Sequence, residues 1–189
     1  MKVLIADDDR KVGASLQQIL SKMGYNVAAV AEDGQRAIEM CRRTLPDVAI
    51  LDIEMPGLDG LSAARQIAQD PGTPVIILTA HGQPELVEAA IQEGAIQYLL
   101  KPVTGPALNA AIQMAVAKAR ELEQYKRKSE ELEATLRDRK MIEKAKGIIM
   151  SRRNLTEAEA FRFLQRESQD RRIPMAKLAE TIVHAHELI

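Results

Sequence analysis

Six side chains early in the chain could do chemistry together. Asp7, Asp8 and Asp9 follow the apolar stretch KVLIA, Asp52 closes DVAILD, Thr79 closes PVIILT and Lys101 follows AIQYLL. Each stands where an apolar run ends. Carboxylates gathered at one place repel one another, and an oxygen-coordinated Mg²⁺ relieves that repulsion. A lysine supplies a point charge suited to phosphate, and a threonine hydroxyl adds a hydrogen bond. The set suits a divalent cation beside a phosphoryl group.

For these residues to meet, the runs that carry them must lie side by side. The apolar runs are KVLIA (2–6), VAAVA (27–31), DVAILD (47–52), PVIILT (74–79) and AIQYLL (95–100). Helical patterns fall between them, around 12–23, 34–43, 59–69 and 84–93, and again from 106 onward. Five such units predict an α/β fold with a parallel sheet covered on both faces. In open α/β sheets, ligands bind beyond the carboxyl ends of strands where the strand order reverses. That is where the six side chains would converge.

Composition bounds the rest. The chain has 189 residues, 46% hydrophobic and 28% charged, which fits one full domain with a smaller companion. No apolar run approaches the roughly 18 residues of a membrane span, so no membrane partner is expected. MKVLIADDDR turns acidic too soon for a secretory signal, and Cys41 is the single cysteine, so a reducing cytoplasmic setting is expected. The net charge of −1 hides an asymmetry: residues 1–117 hold 9 basic against 14 acidic side chains, and residues 137–189 hold 12 against 8. Two domains with different partners would explain it.

The stretches IADDD, ILDIEMPGLDG, ILTA and YLLKP resemble the motif set of two-component response-regulator receiver domains across residues 1–117. The resemblance implies a flavodoxin-like, doubly wound, five-stranded parallel sheet. It also implies that Asp52 accepts a phosphoryl group from a sensor histidine kinase. Asp8 would bind Mg²⁺ directly and Asp7 mainly through water, with Asp52 and the main-chain carbonyl of Glu54 completing the set. Thr79 and Lys101 would contact the phosphoryl group, and Tyr98 takes the position of a switch aromatic. Pro56, Gly57 and Gly60 fit the turn chemistry of the loop after Asp52. His81 reads either as a gate to the site or as an exposed loop residue.

Beyond Pro106 the last helix is expected to continue, because residues 107–146 contain no proline or glycine. Leu108, Ile112, Ala115, Ala119 and Leu122 follow the alternating spacing of a coiled-coil seam. After Leu122 the phase slips to Tyr125, Ser129, Leu132 and Leu136. A homodimer through this coil is expected, with residues 118–131 as the linker.

Three short helices are expected at the end of the coil, over residues 132–189. The first contains IEKAKGIIM, with Ile142, Ala145, Ile149 and Met150 on one face and Gly147 in its middle, at a cost of ~1 kcal/mol against alanine. Thr156 and Glu159 form a capping box for a helix reaching about Arg171, with Ala160, Leu164 and one of Phe161 or Phe163 inward. After Arg171-Arg172-Ile173-Pro174, a last helix turns Leu178, Ala179, Ile182 and Val183 inward. Met141, Met150 and Met175 read as core filling. His184 and His186 point apart on a helix, which argues against shared metal ligation.

This tail is similar to the ANTAR domain of transcription antitermination regulators. The residues that carry the likeness are Arg139, Ile142, Glu143, Ala145, Lys146, Gly147 and Met150, then Ala160, Phe161, Leu164, Leu178 and Ala179. The likeness implies binding to RNA hairpins in transcript leaders, with read-through as the outcome. Arg139, Lys140, Lys144, Lys146, Arg153, Arg171, Arg172 and Lys177 are the surface candidates for RNA phosphates. Gly147 has two readings, close approach of RNA or another helix, or accommodation of Phe161 or Phe163. An enzymatic output is not expected, since the tail lacks a nucleophile–base pair. A DNA-binding output and a protein-docking output are the rivals; the last helix carries too little positive charge for a recognition helix.

Overall fold

The computed structural model describes residues 1–70, 72–80 and 95–187. The helix expected at 84–93 and His81 lie outside the described residues. In chain order the elements are β1 (Lys2–Ala6), α1 (Arg10–Lys22), β2 (Asn26–Ala31), α2 (Gly34–Thr44), β3 (Val48–Asp52), α3 (Gly60–Gln69), β4 (Val75–Thr79), β5 (Ala95–Leu100), α4 (Gly105–Arg153), α5 (Glu157–Arg171) and α6 (Met175–Glu187). They form two compact units, Met1–Glu123 and Gln124–Ile189.

The N-terminal unit is built on one parallel sheet in the order β2-β1-β3-β4-β5. Successive strand residues point to opposite faces, so the continuous apolar runs feed two cores. Leu4, Leu51 and Ile77 pack with Ile38 of α2 and Ile67 of α3. Val3, Ile5, Ile50, Ile76 and Leu78 pack on the other face with Leu16 and Leu20 of α1 and Leu108 and Ile112 of α4. Each such fully buried aliphatic side chain contributes about 1.5–3 kcal/mol. The strand order reverses at β1 and β3, which opens the crevice at their carboxyl ends.

Three helices begin on aspartate caps. Asp9, Asp33 and Asp59 accept from the main-chain N–H of Lys11 (2.8 Å), Arg36 (2.7 Å) and Ser62 (2.8 Å). Asp9 therefore serves helix α1, which removes it from the group of carboxylates expected to converge.

Helix α4 corrects the expected coil. Leu108, Ile112 and Ala115 are fully buried in the sheet core and do not form a seam for a second chain. The Tyr25 hydroxyl fixes this segment, donating to Asn109 Oδ1 (2.6 Å) and accepting from Gln113 Nε2 (3.0 Å). Leu122, Tyr125, Leu132 and Leu136 are each more than half exposed. Leu122, Tyr125, Ser129, Leu132 and Leu136 are then spaced by an unbroken alternation of three and four residues. The apparent phase slip is the junction between a helix face packed on its own sheet and a stripe open to solvent.

The C-terminal unit packs Ala145 and Ile149 of α4, Ala160 and Leu164 of α5, and Leu178, Ala179 and Val183 of α6. Its first helix is not a separate short element: α4 runs unbroken through Gly147 to Arg153. The capping box at α5 forms, with the Thr156 N–H donating to Glu159 Oε2 (2.9 Å) and the Glu159 N–H donating to Thr156 Oγ1 (3.4 Å). Phe163 packs against the core, whereas Phe161 is 41% exposed. Among the described residues, no helix is long and apolar enough to cross a membrane.

Candidate functional site

Strand register builds the site. Ala6 of β1 lies opposite Leu51 of β3, and Asp52 lies opposite Leu78 of β4. Asp7, one residue beyond β1, therefore comes beside Asp52. Carboxylate oxygens of Asp7, Asp8 and Asp52 lie within 4.8 Å of one another. Asp7 and Asp52 are buried, 1% and 7% exposed, and Asp8 is exposed.

Lys101 ties the buried pair together. Its Nζ donates to Asp7 Oδ2 (2.8 Å) and lies 3.0 Å from Asp52 Oδ2. The other oxygen of each carboxylate accepts a main-chain N–H: Asp7 Oδ1 from Asp9, and Asp52 Oδ1 from Ile53, both at 3.0 Å. The Lys101 N–H donates to the Thr79 carbonyl (2.8 Å), which sets the lysine at the end of β5 against the end of β4. Thr79 is buried at 4% exposure. Tyr98 lies on β5 opposite Ile77 and is 42% exposed. Glu54 is exposed in the loop after Asp52.

The loop's position is set by glycine. A Cβ at Gly60 would run into the main-chain carbonyl oxygen of Asp52, so only glycine lets α3 start this close to β3. The Gly60 N–H donates to the Ile53 carbonyl (2.9 Å) across the same contact. Gly57 serves differently, with φ of 75° and no neighbour within 4 Å. The turn residues were legible in the sequence, but the contact of Gly60 with Asp52 was not.

Electrostatics follow from this geometry. Burial pushes the Asp52 carboxyl above its ordinary value, against the lowering effect of Lys101. Burial disfavours the Lys101 ammonium, but its hydrogen bonds to Asp7 and Asp52 outweigh that and raise its pKa. The donor set fits Mg²⁺, a hard cation bound by several oxygens. Asp8 suits a direct ligand, since its carboxylate makes no hydrogen bond or ion pair among the described residues. Both Asp7 oxygens are already engaged, which suits contact through water.

The basic residues of the C-terminal unit separate into kinds. Arg139, Lys140 and Lys144 are exposed. Lys146, expected on the surface, is instead 7% exposed, its ammonium held by Glu143 (2.9 Å) and Glu157 (2.7 Å). The hydrogen bonds it donates to Glu143 and then to Glu157 raise its pKa. Lys146 thus clasps α4 to the start of α5, and reaching a phosphate would break both pairs. Arg153 lies over the Phe163 ring at 4.2 Å, Arg171 pairs with Glu167 at 2.9 Å, and Arg172 caps α5 in the left-handed region with φ of 55°. A Cβ at Gly147 would meet nothing within 4 Å, so accommodation of Phe161 or Phe163 is not its role. His186 Nδ1 lies 3.0 Å from an Arg152 nitrogen, and among the described residues the sole metal-competent cluster is the aspartate group.

Comparison with known proteins finds two families along the chain. Residues 3–113 match the response regulator receiver domain family, and residues 130–183 match the ANTAR domain. The transcriptional regulatory protein PdtaR of Mycobacterium tuberculosis is 38% identical over 182 residues, 96% of this chain and 89% of that protein. The signal receiver domain of a modulated diguanylate cyclase from Desulfovibrio desulfuricans G20 superposes with a TM-score of 0.60 at 33% identity, covering 63% of this chain and 95% of that one. A response regulator receiver domain protein from Clostridium thermocellum gives 0.58 at 32% identity, covering 64% and 98%. The chain belongs to the response regulator family, with an N-terminal receiver domain and a C-terminal ANTAR domain.

Proposed function

We propose that Asp52 accepts a phosphoryl group from a sensor histidine kinase and that this controls RNA binding by the C-terminal unit. The observation that carries the reading is the convergence of Asp7, Asp8 and Asp52 within 4.8 Å, with Lys101 bridging the two buried carboxylates. A carboxylate oxygen of Asp52 attacks phosphorus in line. An acyl phosphate forms, and the bond to the donor's imidazole nitrogen breaks. Asp8, Asp7, Asp52 and the Glu54 carbonyl would hold Mg²⁺, which supplies charge neutralisation on the phosphoryl oxygens. Lys101 then moves from its carboxylate partners toward the new phosphoryl oxygens, and Thr79 donates a hydrogen bond to one of them. Tyr98, now 42% exposed, moves inward as Thr79 shifts.

The output proposed for the ANTAR domain is binding to RNA hairpins in transcript leaders, giving antitermination. The exposed stripe from Leu122 to Leu136 supports a homodimer through a coiled coil, with domain limits near 1–117, 118–131 and 132–189. Pairing two tails makes the second RNA contact intramolecular, with gains on the order of 10² or more. This reading places the protein in the cytoplasm, where the buried, free Cys41 stays reduced, and gives it a regulatory output. The first test is labelling by a small phosphodonor in Mg²⁺, compared with Asp52→Asn. Asparagine keeps the shape but offers no carboxylate, so label should vanish; equal labelling would remove Asp52 as acceptor.

A further inference from the structure

Two open hollows in the C-terminal unit share one wall. The first, about 330 Å³, is lined in part by Ile148, Arg152, Arg153, Phe163, Arg171 and Ile182. The second, about 640 Å³, is lined by Arg153, Leu155, Glu159, Arg162, Phe163 and Arg166. The shared wall is the Arg153 guanidinium stacked on the Phe163 ring. Five arginines thus face this surface against two glutamates, and both glutamates are committed. Glu167 is paired with Arg171, and Glu159 is held in the α5 cap. Among the described residues Arg152 meets His186 alone, and Arg162 Nε donates to the Ala158 carbonyl (3.2 Å) within electrostatic reach of the Glu159 carboxylate. Arg166 has no partner among the described residues.

Unpaired guanidinium groups match phosphate oxygens with two parallel hydrogen bonds. A ring stacked with a guanidinium, set between hollows with aliphatic walls, suits an unstacked base. Such bases occur in RNA loops, whereas reading duplex DNA calls for a helix projecting into a groove. The alternative basic hollow, lined by Arg137, Asp138, Lys140, Lys144 and Lys177, has no aromatic, and Lys177 is paired with Glu180 at 3.1 Å. We propose that hairpin-loop RNA binds around the Arg153–Phe163 stack, with phosphates on Arg152, Arg162 and Arg166 and a splayed base against the shared wall. This assignment rests on the RNA-binding reading above and names its surface.

The test is filter binding of the full chain, with Mg²⁺ and a small phosphodonor, to a pool of RNA hairpins with randomised loops across salt. Arg162→Ala/Arg166→Ala removes two exposed cations and no core contact. Two lost phosphate contacts lower the log–log salt slope by about 1.4 and the affinity by about 25-fold at ~0.1 M salt. Arg153→Lys keeps charge but loses the planar stack, and is expected to weaken hairpin binding while the thermal midpoint holds. If wild type binds and the double variant binds equally, or if Lys140→Ala/Lys144→Ala carries the loss instead, this assignment is overturned and the RNA reading survives. No hairpin binding by wild type removes both. Equal loss of hairpin and duplex DNA binding would make this a DNA surface and overturn the proposal.

Discussion

Gly147→Ala separates two reasons for a glycine in mid-helix. Glycine there costs ~1 kcal/mol against alanine, and nothing within 4 Å would resist the added methyl. The substitution should therefore stabilise the free C-terminal unit by about 1 kcal/mol, raising its thermal midpoint by about 4–8 °C for a unit of this size. If RNA backbone or a second helix packs closely on this spot, the same methyl overpacks that contact by about 1–3 kcal/mol. Affinity would then fall roughly 5- to 150-fold. Thermal unfolding and hairpin titration on one preparation give both numbers. A lowered midpoint would refute the open position at Gly147; a raised midpoint with unchanged affinity would refute its role in close approach.

Gly60→Ala should destabilise the receiver by about 2–3 kcal/mol, since main chain must move, and should slow phosphorylation; Gly57→Ala should cost only ~1–2 kcal/mol of left-handed strain by denaturant titration. Lys146→Ala should lower the midpoint of the C-terminal unit without changing the salt slope of RNA binding; a slope lowered by ~0.7 would return Lys146 to the RNA surface. The folded pKa of Asp52 lies above its unfolded value, so its contribution to stability is present below the unfolded pKa and is lost as pH rises through the folded one. Asp52→Asn should accordingly gain stability over wild type as pH rises through that range, measured without Mg²⁺; a constant difference would contradict the raised pKa. Leu122→Lys and Leu136→Lys should lower the dimer fraction in sedimentation while monomer stability holds, because both side chains are exposed.

The sheet was legible because buried parallel strands must be continuous apolar runs, and the site because its residues close those runs. The helix carried the misreadings. Leu108, Ile112 and Ala115 repeat at intervals that serve a sheet core or a coil seam equally, and only the sheet core they join decides. Lys146 reads as surface charge because its partner Glu157 lies across the Arg153–Thr156 break, where pattern gives no contact. Asp9 reads as a fourth site carboxylate because a cap and a ligand use the same side chain. Arg162 and Arg166 read as ordinary surface charge because nothing local to α5 shows that Arg153, at the end of α4, stacks on Phe163 beside them.

The central claim is that phosphorylation at Asp52 raises RNA affinity in the same molecule. It is tested most directly by titrating a hairpin RNA pool with wild type and Asp52→Asn, each with and without phosphodonor and Mg²⁺. The account expects phosphodonor to tighten wild-type binding on the order of 10² and to leave the variant unchanged. Equal RNA affinity of wild type with and without phosphodonor, or equal tightening of both proteins, would contradict it.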